Sequence, residues 1–344
     1  MNTLKIAELD ALDILVVVDN ESDTLSSVDK GVPMLPELGR LVERLPHFTT
    51  KDGHDYVEPW EHVCLACHGF SALVTGRRGA KEHTIVLDVG PSAEVWLENA
   101  HRLGVRLASI EAVCLSHWHS DHSGGLPGVV AAITRSRGEQ GLRPPIVDLH
   151  PDRPDQRGTI TPAGTLVLLN PEPTFETIES AGGRVTKHDE EHVLADFFFV
   201  SGEIERVTSY ETGFVGHHTV RDGHAVPDPL ILDERFLAAR VRGRGVSVLS
   251  PCSHAGVVNA TLSALGAFGG EPIDVILGGY HLAGLGMEPR IGPTVQDLVN
   301  RVKPRVVAPG HCTGWRAKAE LAKAFAPGNY GPSVVGSLYT LHAT

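Results

Sequence analysis

Ser116-His117-Trp118-His119-Ser120-Asp121-His122-Ser123-Gly124-Gly125 is the stretch on which the reading of this chain turns. It follows directly on the β-branched and apolar run 110–115, which reads as a strand. Residues two apart at the end of a strand project to one side, so His117 and His119 aim their imidazoles together. Asp121 and His122 fall on the tight turn that follows, where Gly124 and Gly125 relieve backbone crowding. Three imidazoles and one carboxylate within six residues match the donors used at zinc, manganese or iron sites. Incidental histidines on a polar loop are the alternative, and four ligand-type residues at this spacing seldom coincide. A lone histidine such as His47 or His101 reads instead as surface or satisfied core.

Working outward, the chain alternates strand and helix. Strands are expected at 14–18, near 70–75 and at 84–88, with a turn at 76–81. Gly90-Pro91 opens a helix at 92–103, where apolar residues recur at helical spacing. Beyond the histidine segment, a helix at 127–134, a polar linker at 136–145 and a strand at 146–150 follow. The section 151–191 reads as short strands and turns, with further strands at 197–200 and near 204–209. The last third predicts strand 246–249, helix 257–267, strand 273–277, helix 294–302 and strand 305–308. This order predicts an α/β fold built as a four-layer αβ/βα sandwich. One domain is expected over 1–344, with a Pro-rich surface excursion at about 21–60 holding one short helix around 35–45.

Hydrophobic residues make up 42% of the 344 and charged residues 21%, which supports a sizeable buried core and argues against disorder. The formal net charge of -12 argues against a broad nucleic-acid surface, so no nucleic-acid partner is expected. No apolar run approaches the ~18–20 residues that span a bilayer, so no membrane association is expected. Glu8, Asp10 and Asp13 precede the apolar run 14–18 where a signal peptide would be basic, and a cytoplasmic protein is expected. The five cysteines (Cys64, Cys67, Cys114, Cys252 and Cys312) then read as reduced thiols.

The segment His117-x-His119-x-Asp121-His122 resembles the HxHxDH signature of metallo-β-lactamase-fold proteins. Further elements resemble one branch of that superfamily, which includes enzymes similar to dihydropterin–ribofuranosylaminobenzene-phosphate synthase. They are Val18-Asp19-Asn20, His68-Gly69-Phe70-Ser71, Leu87-Asp88-Val89-Gly90, Ser201-Gly202-Glu203-Ile204 with Arg206, Cys252-Ser253-His254, Gly278-Gly279-Tyr280-His281 and His311-Cys312-Thr313-Gly314. The excursion after Asn20, Pro251 and Cys67 depart from the branch pattern. The resemblance implies two divalent ions, zinc foremost, with manganese, iron or magnesium as alternatives. It implies His117, His119 and His254 around one ion, and Asp121, His122 and His311 around the other. His281 could compete with either set or act on the substrate. Where most of the superfamily supplies a bridging carboxylate, this chain has Pro251-Cys252. Either Cys252 ligates as a thiolate, or water bridges alone.

Other candidates are weaker. Cys64-Leu65-Ala66-Cys67-His68 has the spacing of a c-type haem attachment motif, which normally accompanies export. His68 and Ser71 are expected near the substrate. Arg206 could clamp a phosphate or carboxylate. Glu203 and Glu211 could hold a substrate amine or support a histidine. His150 and the pair His217-His218 are further pocket candidates.

Two cations about 3.5–4 Å apart lower the pKa of a water between them toward neutrality. With Asp121 and His281 as catalytic residues, this predicts hydrolysis of a small ester, lactone, amide or phosphoester, a phosphorylated or anionic substrate among the options. The resemblance implies an alternative, transfer from a pterin-type diphosphate substrate. A non-catalytic metal or redox protein on the same scaffold is the third reading.

Overall fold

The computed structural model describes residues 4–325 and 327–344. Two large sheets dominate. The first runs Arg184–Lys187, Ile146–Leu149, Ile110–Cys114, Lys81–Leu87, Ser71–Arg78, Ala11–Val18, Leu338–His342 and Met34–Leu35, in that spatial order. The second runs His192–Leu194, Phe198–Val200, Leu237–Val241, Gly245–Ser250, Ile273–Gly279 and Val306–Gly310, with Glu8–Leu9 paired to Leu237–Val241.

The period-two alternation of the strands explains the layering. Leu12, Ile14 and Val16 enter a cluster shared with Phe198, Val200, Leu249, Val275 and Leu277 from the other sheet, which is the core between the sheets. Their neighbours Leu15 and Val17 face outward onto Trp96 and Ala100 of helix Ala93–Leu103 and Val129 and Ile133 of helix Leu126–Glu139. Val246 and Val248 likewise face outward onto Val257, Ala260 and Ala264 of helix Val257–Ala267, and this layer also takes in Ala317 and Leu321 of helix Trp315–Phe325. Helix, sheet, sheet and helix therefore stack as the αβ/βα sandwich expected from the order of elements.

Strand direction places the site. Lys81–Leu87 and Ile110–Cys114 are parallel in the first sheet. Gly245–Ser250, Ile273–Gly279 and Val306–Gly310 are parallel in the second. The loops leaving their carboxyl ends carry Asp88, Ser116 to His122, Cys252 to His254, His281 and His311 to one edge of the sandwich. A separate four-stranded antiparallel sheet, Leu166–Leu168, Gln156–Ile160, His217–Arg221 and His224–Pro227, stands beside that edge.

Several expectations need correction. No strand forms near 204–209; the backbone N–H groups of Val207 and Thr208 donate to Asn259 Oδ1 (3.0 Å each) instead of to a strand. The turn placed at 76–81 is only Gly79-Ala80, because Ser71–Arg78 and Lys81–Leu87 pair up to Arg78 and Lys81, reinforced by the Arg77–Glu82 ion pair (2.9 Å). The helix expected at 127–134 continues to Glu139, through the first part of the supposed linker, and Arg137 ties its end to the carbonyls of Ala108 (2.9 Å) and Ile110 (2.8 Å). The helix of the 21–60 excursion is Glu37–Arg44.

Candidate metal centre

After Ile110–Cys114 the chain is pinned residue by residue. Ser116 donates from its backbone N–H to Asp88 Oδ1 and from its hydroxyl to Asp88 Oδ2, both at 2.7 Å. Trp118 turns away, buried against Phe175, with its indole N–H on the His150 carbonyl (3.0 Å). His117 and His119 thereby face the cleft between the sheets. The short helix Ser120–Ser123 then presents Asp121 and His122. A Cβ on Gly124 would stand 2.5 Å from the carbonyl oxygens of both Pro91 and Ser120, so this approach demands glycine.

Two sets of donor atoms converge. In the first, His117 Nε2 and His119 Nδ1 are 3.0 Å apart, and His254 Nε2 lies 3.2 Å and 3.1 Å from them. In the second, His122 Nε2 and His311 Nε2 are 3.2 Å apart, with Asp121 Oδ2 at 3.7 Å and 3.4 Å. A neutral imidazole nitrogen offers one proton or one lone pair, so three in a triangle are not satisfied by one another. Tetrahedral zinc with Zn–N bonds of about 2.0–2.1 Å sets neighbouring donors about 3.3 Å apart, close to the first set's spacing. Cys252 Sγ lies within 4.8 Å of His117 and His254 donors, and equally of those of His122 and His311, so it stands between the sets.

The outer partners orient these rings. Ser116 Oγ spends its proton on Asp88, so it accepts from His117 Nδ1 (2.9 Å) and leaves the Nε2 lone pair facing inward. Asp88 Oδ2 accepts from His122 Nδ1 (2.7 Å), and Asn20 Oδ1 accepts from His311 Nδ1 (2.9 Å). His217 Nδ1 donates to the Asp228 carbonyl (2.7 Å), so its Nε2 accepts from His119 Nε2 (2.9 Å) and leaves His119 Nδ1 bare. Outer hydrogen bonds of this kind set tautomer and direction at metal sites. Glu234 holds the His254 loop by accepting the backbone N–H groups of His254 (2.7 Å) and Ala255 (2.6 Å). Burial lowers the pKa of His117, His119, His254 and His311, keeping their lone pairs available. Burial also opposes charge on His122, but the charges of Asp121 and Asp88 and the Asp88 hydrogen bond outweigh it and raise His122 to about 9. A cation on His122 therefore competes with a proton.

His68 lies at the same edge. Asn20 Oδ1 accepts from the Gly69 N–H (3.1 Å), which turns the amide so that its Nδ2 donates to His68 Nδ1 (3.0 Å). The His68 proton then sits on Nε2, directed at Asp121 Oδ2 (3.4 Å), so His68 offers a donor and not a lone pair.

Other expected site residues lie elsewhere. Ser71 is fully buried; its hydroxyl donates to the Asp88 carbonyl (2.7 Å) and accepts from Trp96 Nε1 (2.9 Å), which leaves it no bond for a substrate. Glu203 is exposed and does not line the cavity over the donor sets. Arg206 donates to the Leu230 carbonyl and also lies outside that cavity. Glu211 caps helix Val257–Ala267 through the Val258 (3.0 Å) and Asn259 (2.9 Å) N–H groups, with no histidine in its care, and burial raises it to about 7. His150 accepts the Asp152 N–H, and His218 faces the Gly216 carbonyl. Of the pocket candidates, His217 alone enters the site. Glu234 and Asp228 carry no sequence signal as supports, because nothing in a sequence tells a loop acceptor from a surface one; Asn20 enters only through the resemblance.

The cavity over the donor sets measures about 240 Å³. His68, Asp121, Cys252, His281 and Cys312 line its floor, and Thr159, Val167, Leu169 and Phe214 its walls. No lysine or arginine lines it among the described residues. His281 has φ of 47° and its ring centroid stands 4.2 Å from that of His254.

Comparison with known proteins agrees with this geometry. Residues 66–279 match the family model described as the metallo-beta-lactamase superfamily. The 7,8-dihydropterin-6-methyl-4-(beta-D-ribofuranosyl)-aminobenzene-5'-phosphate synthase of Methanocaldococcus jannaschii is 28% identical over 296 residues, covering 85% of this chain and 95% of that protein. The lactamase-like protein vrtG of Penicillium aethiopicum is 27% identical over 154 residues, 43% of this chain and 44% of that one. Among solved structures, Tm1679, described as a metal-dependent hydrolase of the beta-lactamase superfamily, superposes with a TM-score of 0.65 at 22% identity, covering 97% of this chain and 99% of that one.

Proposed function

Given that this chain belongs to the metallo-beta-lactamase superfamily, we propose that it is a two-ion, metal-dependent hydrolase of a small and largely uncharged ester, lactone or amide. The observation that carries the reading is the pair of donor sets, three imidazoles and a histidine–aspartate–histidine group, opening together into an apolar-walled cavity. His117, His119 and His254 would hold one ion; Asp121, His122 and His311 the other. Zinc suits these two imidazole-rich sets of three donors. The ions supply Lewis acidity and a water nucleophile at neutral pH.

The chain's own groups do the rest. Asp121 holds its carboxylate at the mouth of the second set and orients the attacking water through a hydrogen bond. The Nε2–H of His68 faces the same carboxylate and steadies charge there. His281, its ring beside that of His254, would protonate the departing oxygen or nitrogen. Val167, Leu169 and Phe214 offer apolar surface to the cavity and favour an apolar acyl group. The net charge of -12 supports a small-molecule partner over nucleic acid.

A second reading, pterin transfer with release of diphosphate, is supported by the similarity to the archaeal synthase across most of both chains. Against it stands the cavity, whose roughly 240 Å³ and apolar walls are small for a pterin-methyl diphosphate; charge to meet the diphosphate would come from the two ions and not from a lysine or arginine. The test is a turnover panel of esters, lactones, amides and phosphodiesters on metal-replete protein, run beside a pterin-methyl diphosphate with diphosphate release as readout. Hydrolysis of a neutral ester or lactone, lost on chelation, is expected. Diphosphate release with a silent hydrolytic panel would overturn the hydrolase reading in favour of the second.

A further inference from the structure

The ends of three parallel strands bring two thiols into contact. Cys252 follows Gly245–Ser250 and Cys312 follows Val306–Gly310, and these strands flank Ile273–Gly279 without touching each other. A side chain at the end of the middle strand would keep them apart. That position is Gly279, where a Cβ would stand 2.6 Å from Cys312 Sγ and 2.5 Å from the Pro251 carbonyl. Across the gap the two sulfurs lie 3.3 Å apart, and the Cys312 thiol also donates to the Cys252 carbonyl (3.3 Å). Both cysteines line the cavity, Cys312 being the more exposed.

We propose that Cys252 and Cys312 are a site of reversible oxidation by hydroperoxides, closing to a disulfide across Gly279. Closure needs the sulfurs to approach by roughly 1.3 Å, to the disulfide length of about 2.05 Å, a movement side-chain rotation can share. The Cys312 sulfur attacks one oxygen of the peroxide; the O–O bond breaks, leaving a sulfenic acid and an alcohol or water. The Cys252 sulfur then attacks that sulfur, the S–S bond forms and the hydroxyl leaves as water. The balance is two thiols and one hydroperoxide to one disulfide, one alcohol or water, and one water. The two cysteines are oxidised and the peroxide reduced.

The test treats metal-replete protein with hydrogen peroxide and reads intact mass and a peptide map. The mass readouts are independent of the reaction catalysed, so they stand apart from the proposed hydrolysis. Native protein is expected to lose the mass of two hydrogen atoms, to yield a peptide joined through Cys252 and Cys312, and to regain the starting mass with dithiothreitol. Cys312→Ser is expected to form no such link and to gain oxygen atoms instead. Oxygen addition without the link in native protein, or a link confined to Cys64 and Cys67, would overturn the proposal; both are read on native protein, whether or not the variant folds.

Discussion

His217 Nε2 accepts the outward proton of His119 Nε2 at 2.9 Å and, through its own Nδ1–H on the Asp228 carbonyl, allows His119 only one tautomer. Burial first, and then the nearby charge of Arg157, lower His217 to about 4, so it stays an acceptor throughout the neutral range.

His217→Ala should therefore weaken the three-imidazole set without dismantling it. Loss of an outer partner of a ligating histidine costs about 10–100-fold in metal affinity or activity. Competition with a chelating dye should show that loss for His217→Ala and partial recovery for His217→Gln, whose carbonyl can still accept. Unchanged affinity in both would refute the role given to His217.

His117→Ala and Asp121→Ala remove one donor from each set. Both should abolish turnover and lower the metal measured by elemental analysis, while circular dichroism shows the fold retained. Full activity in both would contradict the two-set assignment.

Ser71→Ala separates two roles for one hydroxyl. Its loss leaves the buried Trp96 indole N–H without an acceptor and frees the Asp88 carbonyl, a cost of about 1–3 kcal/mol. Denaturant unfolding should show that loss with KM unmoved. A raised KM at unchanged stability would return Ser71 to the substrate.

Glu211 provides a pH test away from the donor atoms. Its carboxyl, raised by burial from 4.5 to about 7, binds its proton more tightly folded than unfolded. Its contribution to stability is therefore complete below about 4.5 and is lost as pH rises through about 7. The Tm of native protein minus that of Glu211→Gln should fall from pH 5 to pH 8. A difference that is constant or growing would show that the carboxyl is not held protonated.

Much of this architecture could be read before any coordinates, and the reason is periodicity. Leu12, Ile14 and Val16 alternate with Leu15 and Val17 because both faces of that strand are covered, and the helix expected at 257–267 matches the observed Val257–Ala267. His117, His119, Asp121 and His122 were legible because they are local. His254 and His311 came only through resemblance, since nothing near either one says that strand direction will bring it to residue 117 or 122. Ser71, Arg206 and Glu211 show the opposite limit: a polar side chain in or beside a distinctive element serves the backbone as readily as a ligand. Leu237–Val241, His217–Arg221 and His224–Pro227 carry no such signal, because short strands hold too few residues to show a period, and within 151–191 the sequence shows short strands without their bounds.

The missing lysines and arginines around the cavity also bear on how molecules arrive. With a formal charge of -12 and, among the described residues, no lysine or arginine lining the cavity, the protein's fixed charge repels anions over a screening length of about 8 Å at physiological ionic strength, whereas two divalent ions in the donor sets would attract them at the mouth. Capture of an anion should change with added salt, slowing where the ions at the mouth dominate and quickening where the fixed charge does, whereas encounter with a neutral molecule should ignore it. The slope of kcat/KM against ionic strength thus reports the charge of whatever the cleft receives in its working state.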